Sequence, residues 1–129
     1  MILVDSSVWI AYLGHKASPI AAQLEQLIRP RNEVVSTGII LQEVLQGTKN
    51  VRSFQLISML LRKFPFLVPS DHTHLTAAAL FKRLVARGGM PSTVDVLIAS
   101  LALEHRVPLF TLDADFELIS RYSDLQLYL

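Results

Sequence analysis

The chain has 129 residues, with twelve Lys and Arg against eleven Asp and Glu, for a formal net charge of +1. That length holds one hydrophobic core rather than two ordinary domains, and that charge argues against a generic basic nucleic-acid binder. Apolar residues make up 51% of the chain, which predicts surface covered by a partner, and the lack of cysteine excludes a disulfide framework or thiolate metal site and fits a cytoplasmic protein.

Ile2-Leu3-Val4 reads as a short buried strand ending at Asp5. Asp5, Ser6 and Ser7 suit the start of a helix carrying Val8, Ile10, Ala11 and Leu13, which Gly14 stops. Ser18-Pro19 opens a second helix with Ile20, Leu24, Leu27 and Ile28 on one stripe, closed by Pro30. Residues 33–37 read as a strand, 38–47 as a helix ending at Gly47, and about 50–63 as a helix with Phe54, Ile57, Leu60 and Leu61 on its apolar side. Phe66-Leu67-Val68 lies between two prolines and reads as a short strand near a sheet edge. Asp71 is expected to cap a long helix whose apolar positions are Leu75, Ala78, Ala79, Phe81, Leu84 and Val85, ended by Gly88-Gly89. A helix over about 92–105, a strand over 107–111, a helix over about 115–121 and a strand over 125–127 complete the chain. The longest apolar run, Val96 to Leu103, is well short of the roughly 18–20 residues that cross a bilayer, so no membrane contact is expected. Asp5 inside the first apolar run is unlike a signal peptide.

Strands alternating with helices predict an α/β fold: a mostly parallel sheet covered on both faces, with ligands at the carboxyl ends of its strands. Asp5 ends the first strand and Asp113 follows the strand over 107–111, so both fall at that edge. Glu43 is about five residues into a helix that starts there, roughly 7 Å at ~1.5 Å per residue. Asp95 lies in the first turn of a helix that must run back against the strand it feeds. Clustered carboxylates repel and resist desolvation unless a cation holds them, so the four together point to a divalent metal site. Each also has a local role open to it. Asp5 could cap a helix, Asp95 stands at capping-box spacing from Ser92, Asp113 could serve a turn, and Glu43 could be a solvated helix charge. Ser6, Ser7 and Thr111 are the hydroxyls nearest this edge, and Asp115 is a fifth acid that could simply cap the last helix. His15, His72, His74 and His105 have no metal-ligand spacing with the acids, and Trp9 reads as a packing residue. With the four acids set aside, twelve basic residues face seven acidic ones. Lys82, Arg83 and Arg87 are among those that read either as solvated helix faces or as contacts to a polyanion.

Four segments carry a resemblance: Val4-Asp5-Ser6-Ser7-Val8-Trp9-Ile10, Ile40 to Gly47 around Glu43, Thr93 to Ala99 around Asp95, and Leu109 to Phe116 around Asp113. In this order and spacing the chain resembles the PIN-domain family, and more narrowly the VapC-type toxin ribonucleases of type II toxin–antitoxin pairs. The resemblance spans essentially all of residues 1–129. It implies one three-layer α/β/α domain with a five-stranded sheet. It implies Asp5, Glu43, Asp95 and Asp113 as the acids that bind Mg²⁺ or Mn²⁺, with Asp5 and Asp95 as direct ligands and Glu43 and Asp113 binding through water or holding a second ion; the residues themselves offer Ser7, Thr111 and Asp115 in support. It further implies hydrolysis of RNA by water that the metal activates, a VapB-type antitoxin that blocks the site, and a homodimer. A PIN nuclease of RNA processing without an antitoxin, or a non-catalytic interaction module on the same fold, are the alternatives. A haloacid-dehalogenase-like phosphatase needs a second acid where Ser7 stands, and a receiver domain needs a late lysine that the chain lacks after Arg106.

Overall fold

The structure is a computed structural model describing residues 1–14, 17–29 and 31–128. The expectations for His15 and Pro30 lie outside the described residues. The elements are β1 (Ile2–Val4), α1 (Ser6–Gly14), α2 (Pro19–Ile28), β2 (Val34–Val35), α3 (Gly38–Gln46), α4 (Val51–Leu61), α5 (Asp71–Ala86), α6 (Thr93–His105), β3 (Leu109–Phe110), α7 (Asp115–Arg121) and β4 (Leu127–Tyr128). The strands form one parallel sheet in the order β2-β1-β3-β4, with Leu3 opposite both Val35 and Leu109.

The fifth strand is reduced to a single parallel bridge between Ser36 and Phe66. The Ser36 amide donates to the Pro65 carbonyl at 2.9 Å and the Leu67 amide to the Ser36 carbonyl at 2.8 Å. Pro65 and Pro69 flank this segment without amide protons, so the ladder has no donors with which to lengthen. The sheet therefore has four strands rather than five; β1 spans the expected Ile2–Val4, while the later strands are shorter than expected. β2 and β3 keep only Val34–Val35 of residues 33–37 and Leu109–Phe110 of residues 107–111, and β4, Leu127–Tyr128, shares only Leu127 with the expected 125–127.

Every residue of β1, β2 and β3 is buried, as a parallel sheet covered by helices on both faces requires. α6 is buried nearly all round, at Val96, Ile98, Ala99, Ser100, Leu101 and Ala102, because it runs through the core rather than over it. Trp9 is fully buried against Phe64 and Tyr12, with ring centroids at 5.4 and 6.0 Å, in keeping with its reading as a packing residue. In α5 the stripe expected through Leu75, Ala78, Ala79 and Val85 faces solvent, with Leu75 70% exposed. The buried stripe is instead Thr73, Ala77, Leu80 and Leu84. A polar residue enters that seam because the Thr73 hydroxyl donates to Glu104 on α6 at 2.8 Å. The cap of α5 is Ser70, not Asp71: its hydroxyl accepts from the Thr73 amide while the Thr73 hydroxyl accepts from the Ser70 amide. Phe54 and Ile10, expected on apolar faces, are about half exposed.

Candidate active site at the carboxyl edge of the sheet

β1 delivers Asp5 to the carboxyl edge, and there the side chain is only 4% exposed. A carboxylate so deeply buried needs partners. It has two on one oxygen: the Ser7 and Thr111 hydroxyls each donate to Oδ2 at 2.8 Å. Neither hydroxyl ends there. The Ser7 oxygen accepts from the Leu112 amide at 3.0 Å and the Thr111 oxygen from the Asp113 amide at 3.0 Å. The loop after β3 is thus pinned to Asp5 by two parallel relays, while Oδ1 has no hydrogen bond from a described residue. Asp5 does not cap α1 with its side chain, since the Val8 and Trp9 amides bond its backbone carbonyl.

Glu43 projects from α3 toward α1, where the Ser6 hydroxyl donates to its Oε1 at 3.1 Å. It is half-buried rather than a solvated charge. At the start of α6 the Ser92 hydroxyl accepts from the Asp95 amide at 3.0 Å, so Ser92 is a true cap. No return bond runs from the Asp95 carboxylate to the Ser92 amide among the described residues. That carboxylate belongs to a trio with Asp113 and Asp115, whose oxygens lie within 4.8 Å of one another. Asp113 does serve a turn, because its Oδ1 accepts from the Asp115 amide at 2.9 Å. Asp115 is consequently the first residue of α7 and not its cap.

Electrostatics bind the two groups of acids into one site. The Asp95 carboxyl is pushed from 3.8 up to about 6, first by burial and then by repulsion from Asp113, Asp5 and Asp115, against a lowering effect of the Ser92 hydroxyl. Glu43 is also raised, chiefly by burial, with the Ser6 hydroxyl opposing and Asp5 and Asp113 adding repulsion. All four acids expected at this edge are brought together, with Ser7 and Thr111 as braces. The sequence reading understated Asp115, which stands in the tightest trio, while Asp5 and Glu43 stand outside it. The signal available for Asp115 was its two-residue offset from Asp113 on a turn. An all-oxygen, mutually repelling donor set with free carboxylate oxygens fits a hard divalent cation.

Comparisons with known proteins give the family. A family model described as PIN domain matches residues 2–122. A VapC ribonuclease, Mb1587 of Mycobacterium bovis, is 31% identical over 129 residues, covering 98% of this chain and 96% of that protein. Among solved structures, VapBC2 from Rickettsia felis bound to a DNA fragment from their promoter aligns with a TM-score of 0.81 at 21% identity, over 99% of this chain and 98% of that one. VapBC-5 of Mycobacterium tuberculosis, a member of the VapBC family of toxin-antitoxin systems, aligns with a TM-score of 0.72 at 21% identity, over 97% and 94%. With the fold, the ordered acids and these matches in agreement, the chain belongs to the PIN-domain family and, within it, to the VapC-type ribonucleases.

Proposed function

We propose that the chain is a divalent-metal-dependent endoribonuclease and the toxin half of a toxin–antitoxin pair. The observation that supports it best is the meeting of Asp5, Glu43, Asp95, Asp113 and Asp115 at one edge, with Asp95 raised to about 6 by burial and repulsion. Such a cluster is disfavoured unless it shares a cation. A bound Mg²⁺ or Mn²⁺ supplies Lewis-acid polarisation of a phosphodiester and makes water nucleophilic near neutral pH. The residues do the rest. Asp5 offers Oδ1, because both hydroxyls occupy Oδ2. Asp95 stands beside Asp113 as the other direct ligand, while Glu43 offers Oε2, its Oε1 being held by Ser6. Asp113 and Asp115 complete the outer ligand set. No side-chain nucleophile is needed.

The partner reading has two supports. The fold relatives named above include VapBC assemblies. Val51, Phe54, Leu56 and Met59 leave an apolar surface on α4, which buries only Leu61. A VapB-type antitoxin and a second copy of the chain are the partners proposed. None of the described helices is long and apolar enough to cross a membrane.

The decisive assay uses the purified chain without a partner. It is expected to cleave RNA with Mg²⁺ or Mn²⁺, and Asp5→Asn is expected to lower the rate by at least about 100-fold while keeping the helical spectrum. Equal cleavage in EDTA, or by the variant, overturns the mechanism. Expression alone is expected to arrest growth, and co-expression with an adjacent antitoxin gene to relieve it. Harmless expression with intact cleavage in vitro would favour a PIN nuclease without an antitoxin.

A further inference from the structure

A cleft lies away from the acids. It encloses about 710 Å³ and is lined by Val107 and Pro108, which lead into β3, and by Leu125 and Gln126, which lead into β4. It therefore opens at the amino edge of β3 and β4, the end of the sheet opposite the acids. Arg83 of α5 and Arg106, which follows α6, both line it, and Tyr122 forms part of its wall. The Arg87 guanidinium lies over the Tyr122 ring, 5.1 Å from the centroid. None of the three arginines is in an ion pair among the described residues, whereas Arg29 and Arg31 both have carboxylate partners. Asp124 is the one acid on the lining.

Arg106 carries a second signal. It caps α6 with φ 54° and ψ 43°, in the left-handed region where glycine or asparagine is the unstrained choice. A long cationic side chain is thus held at a strained backbone position whose only local requirement, ending a helix, a glycine would meet better. Strain of this kind points to use of the side chain.

We propose that this cleft is a second RNA contact, in which Arg83 and Arg106 grip backbone phosphates a few nucleotides away from the scissile bond and Tyr122 offers a ring beside them. The proposal rests on the ribonuclease reading above. Guanidinium forks match phosphate oxygens in pairs, and an arginine-backed aromatic ring suits an unpaired base. The reach sets the size of the substrate. Pro108 at the cleft and Asp113 at the acids are five residues apart, at most roughly 18 Å of chain. An RNA that bends around one end of the sheet can touch both, and a very short oligonucleotide cannot.

The competing account is that these arginines only offset helix C-terminal dipoles. Arg106→Asn separates the two, because asparagine tolerates the left-handed backbone while removing the charge. The test is fluorescence anisotropy of an end-labelled RNA hairpin with single-stranded flanks, in EDTA so that nothing is cleaved, across a potassium chloride series. Arg106→Asn and Arg83→Gln are each expected to weaken binding several-fold and to flatten the salt slope by about 0.7–0.9, with the melting temperature of Arg106→Asn unchanged or higher. In cleavage of the hairpin, KM is expected to rise with kcat held, and a short oligouridylate to be cut equally by all forms. Unchanged affinity and slope in both variants overturns the proposal, as does a loss confined to melting temperature. If those results come with normal Mg²⁺-dependent cleavage, the second contact alone fails. If the intact chain cleaves no RNA at all, it is the ribonuclease reading that fails.

Discussion

At the scale of single residues, the hydroxyl relays explain how a nearly buried Asp5 is held in place. Thr111 both donates to Asp5 and accepts from the Asp113 amide, so Thr111→Val breaks two bonds at once. The variant is expected to lose about 1–3 kcal/mol by chemical denaturation and most of its cleavage, and Thr111→Ser to restore both. A valine variant as active and stable as the parent would show the relay to be idle. Asp95 makes the opposite kind of contribution. Its folded-state value of about 6 lies above the ordinary 3.8, so the folded chain holds more protons between those values. The associated stability is present in full below 3.8 and is lost as pH rises through about 6. Asp95→Asn removes that loss. In EDTA it is expected to melt higher than the parent near neutral pH and to approach it at about pH 4, which a pH series of melting curves reads directly. Which carboxylates share an edge was legible from topology, since strand ends and helix starts obey simple parity in an α/β fold. Which oxygen of each carboxylate is already occupied was not, because it depends on hydroxyls such as Ser6 and Thr111, separated by 37 and 106 positions from the acids they bond.

At the scale of elements, helix starts were legible where a small polar residue has room to accept an amide proton. Ser18 and Ser92 do so as expected, whereas α5 is capped by Ser70, one residue before the expected Asp71, and α4 by Asn50. The apolar face of α5 was not legible, since its neighbour α6 is buried almost all round and takes a threonine–glutamate bond into the seam. Leu75 and Ala78 gave as strong a periodic signal as Ala77 and Leu80, and periodicity alone does not choose between adjacent faces. Strand length was overestimated for a related reason: apolar runs continue past the paired residues. The turn between α5 and α6 is under tight steric control. A Cβ on Gly89 would come within 2.5 Å of Leu118 Cδ2 and 3.1 Å of the Leu84 carbonyl oxygen. Leu118 can rotate away, but the Leu84 carbonyl belongs to the end of α5 and accepts the Gly89 amide at 2.9 Å. Gly89→Ala is expected to destabilise the chain by about 1–3 kcal/mol, with a lower denaturation midpoint and an unchanged slope. A midpoint equal to the parent's would mean the turn relaxes freely.

For the whole molecule, the acid edge and the rest of the surface have opposite electrostatic needs. Eleven acids against twelve bases gives near neutrality, yet five of the acids meet at one edge of the sheet. Without a counter-charge, folding brings those five together and burial makes their repulsion worse. Two agents can relieve it, a proton or a divalent cation, and they compete for the same oxygens. In EDTA the melting temperature is therefore expected to rise as pH is lowered from about 7 to about 5, through the raised values of Asp95 and Glu43. A cation that binds only the folded chain adds RT ln(1 + [L]/Kd), about 2.7 kcal/mol at a hundredfold excess over Kd. Saturating Mg²⁺ or Mn²⁺ is accordingly expected to raise the melting temperature by roughly 5–15 °C at neutral pH for a chain of this size. It should also reverse the pH trend, because acid then displaces the cation instead of filling its place. Potassium chloride at matched ionic strength should reproduce little of this, since screening acts weakly on the buried Asp5 and the half-buried Glu43 and Asp95. Asp5→Asn is the internal control: it removes one charge of the edge, so it should melt higher than the parent in EDTA and respond less to the cation. Equal shifts with potassium and magnesium, or a full magnesium response in Asp5→Asn, would show that the five carboxylates do not act as one cation site.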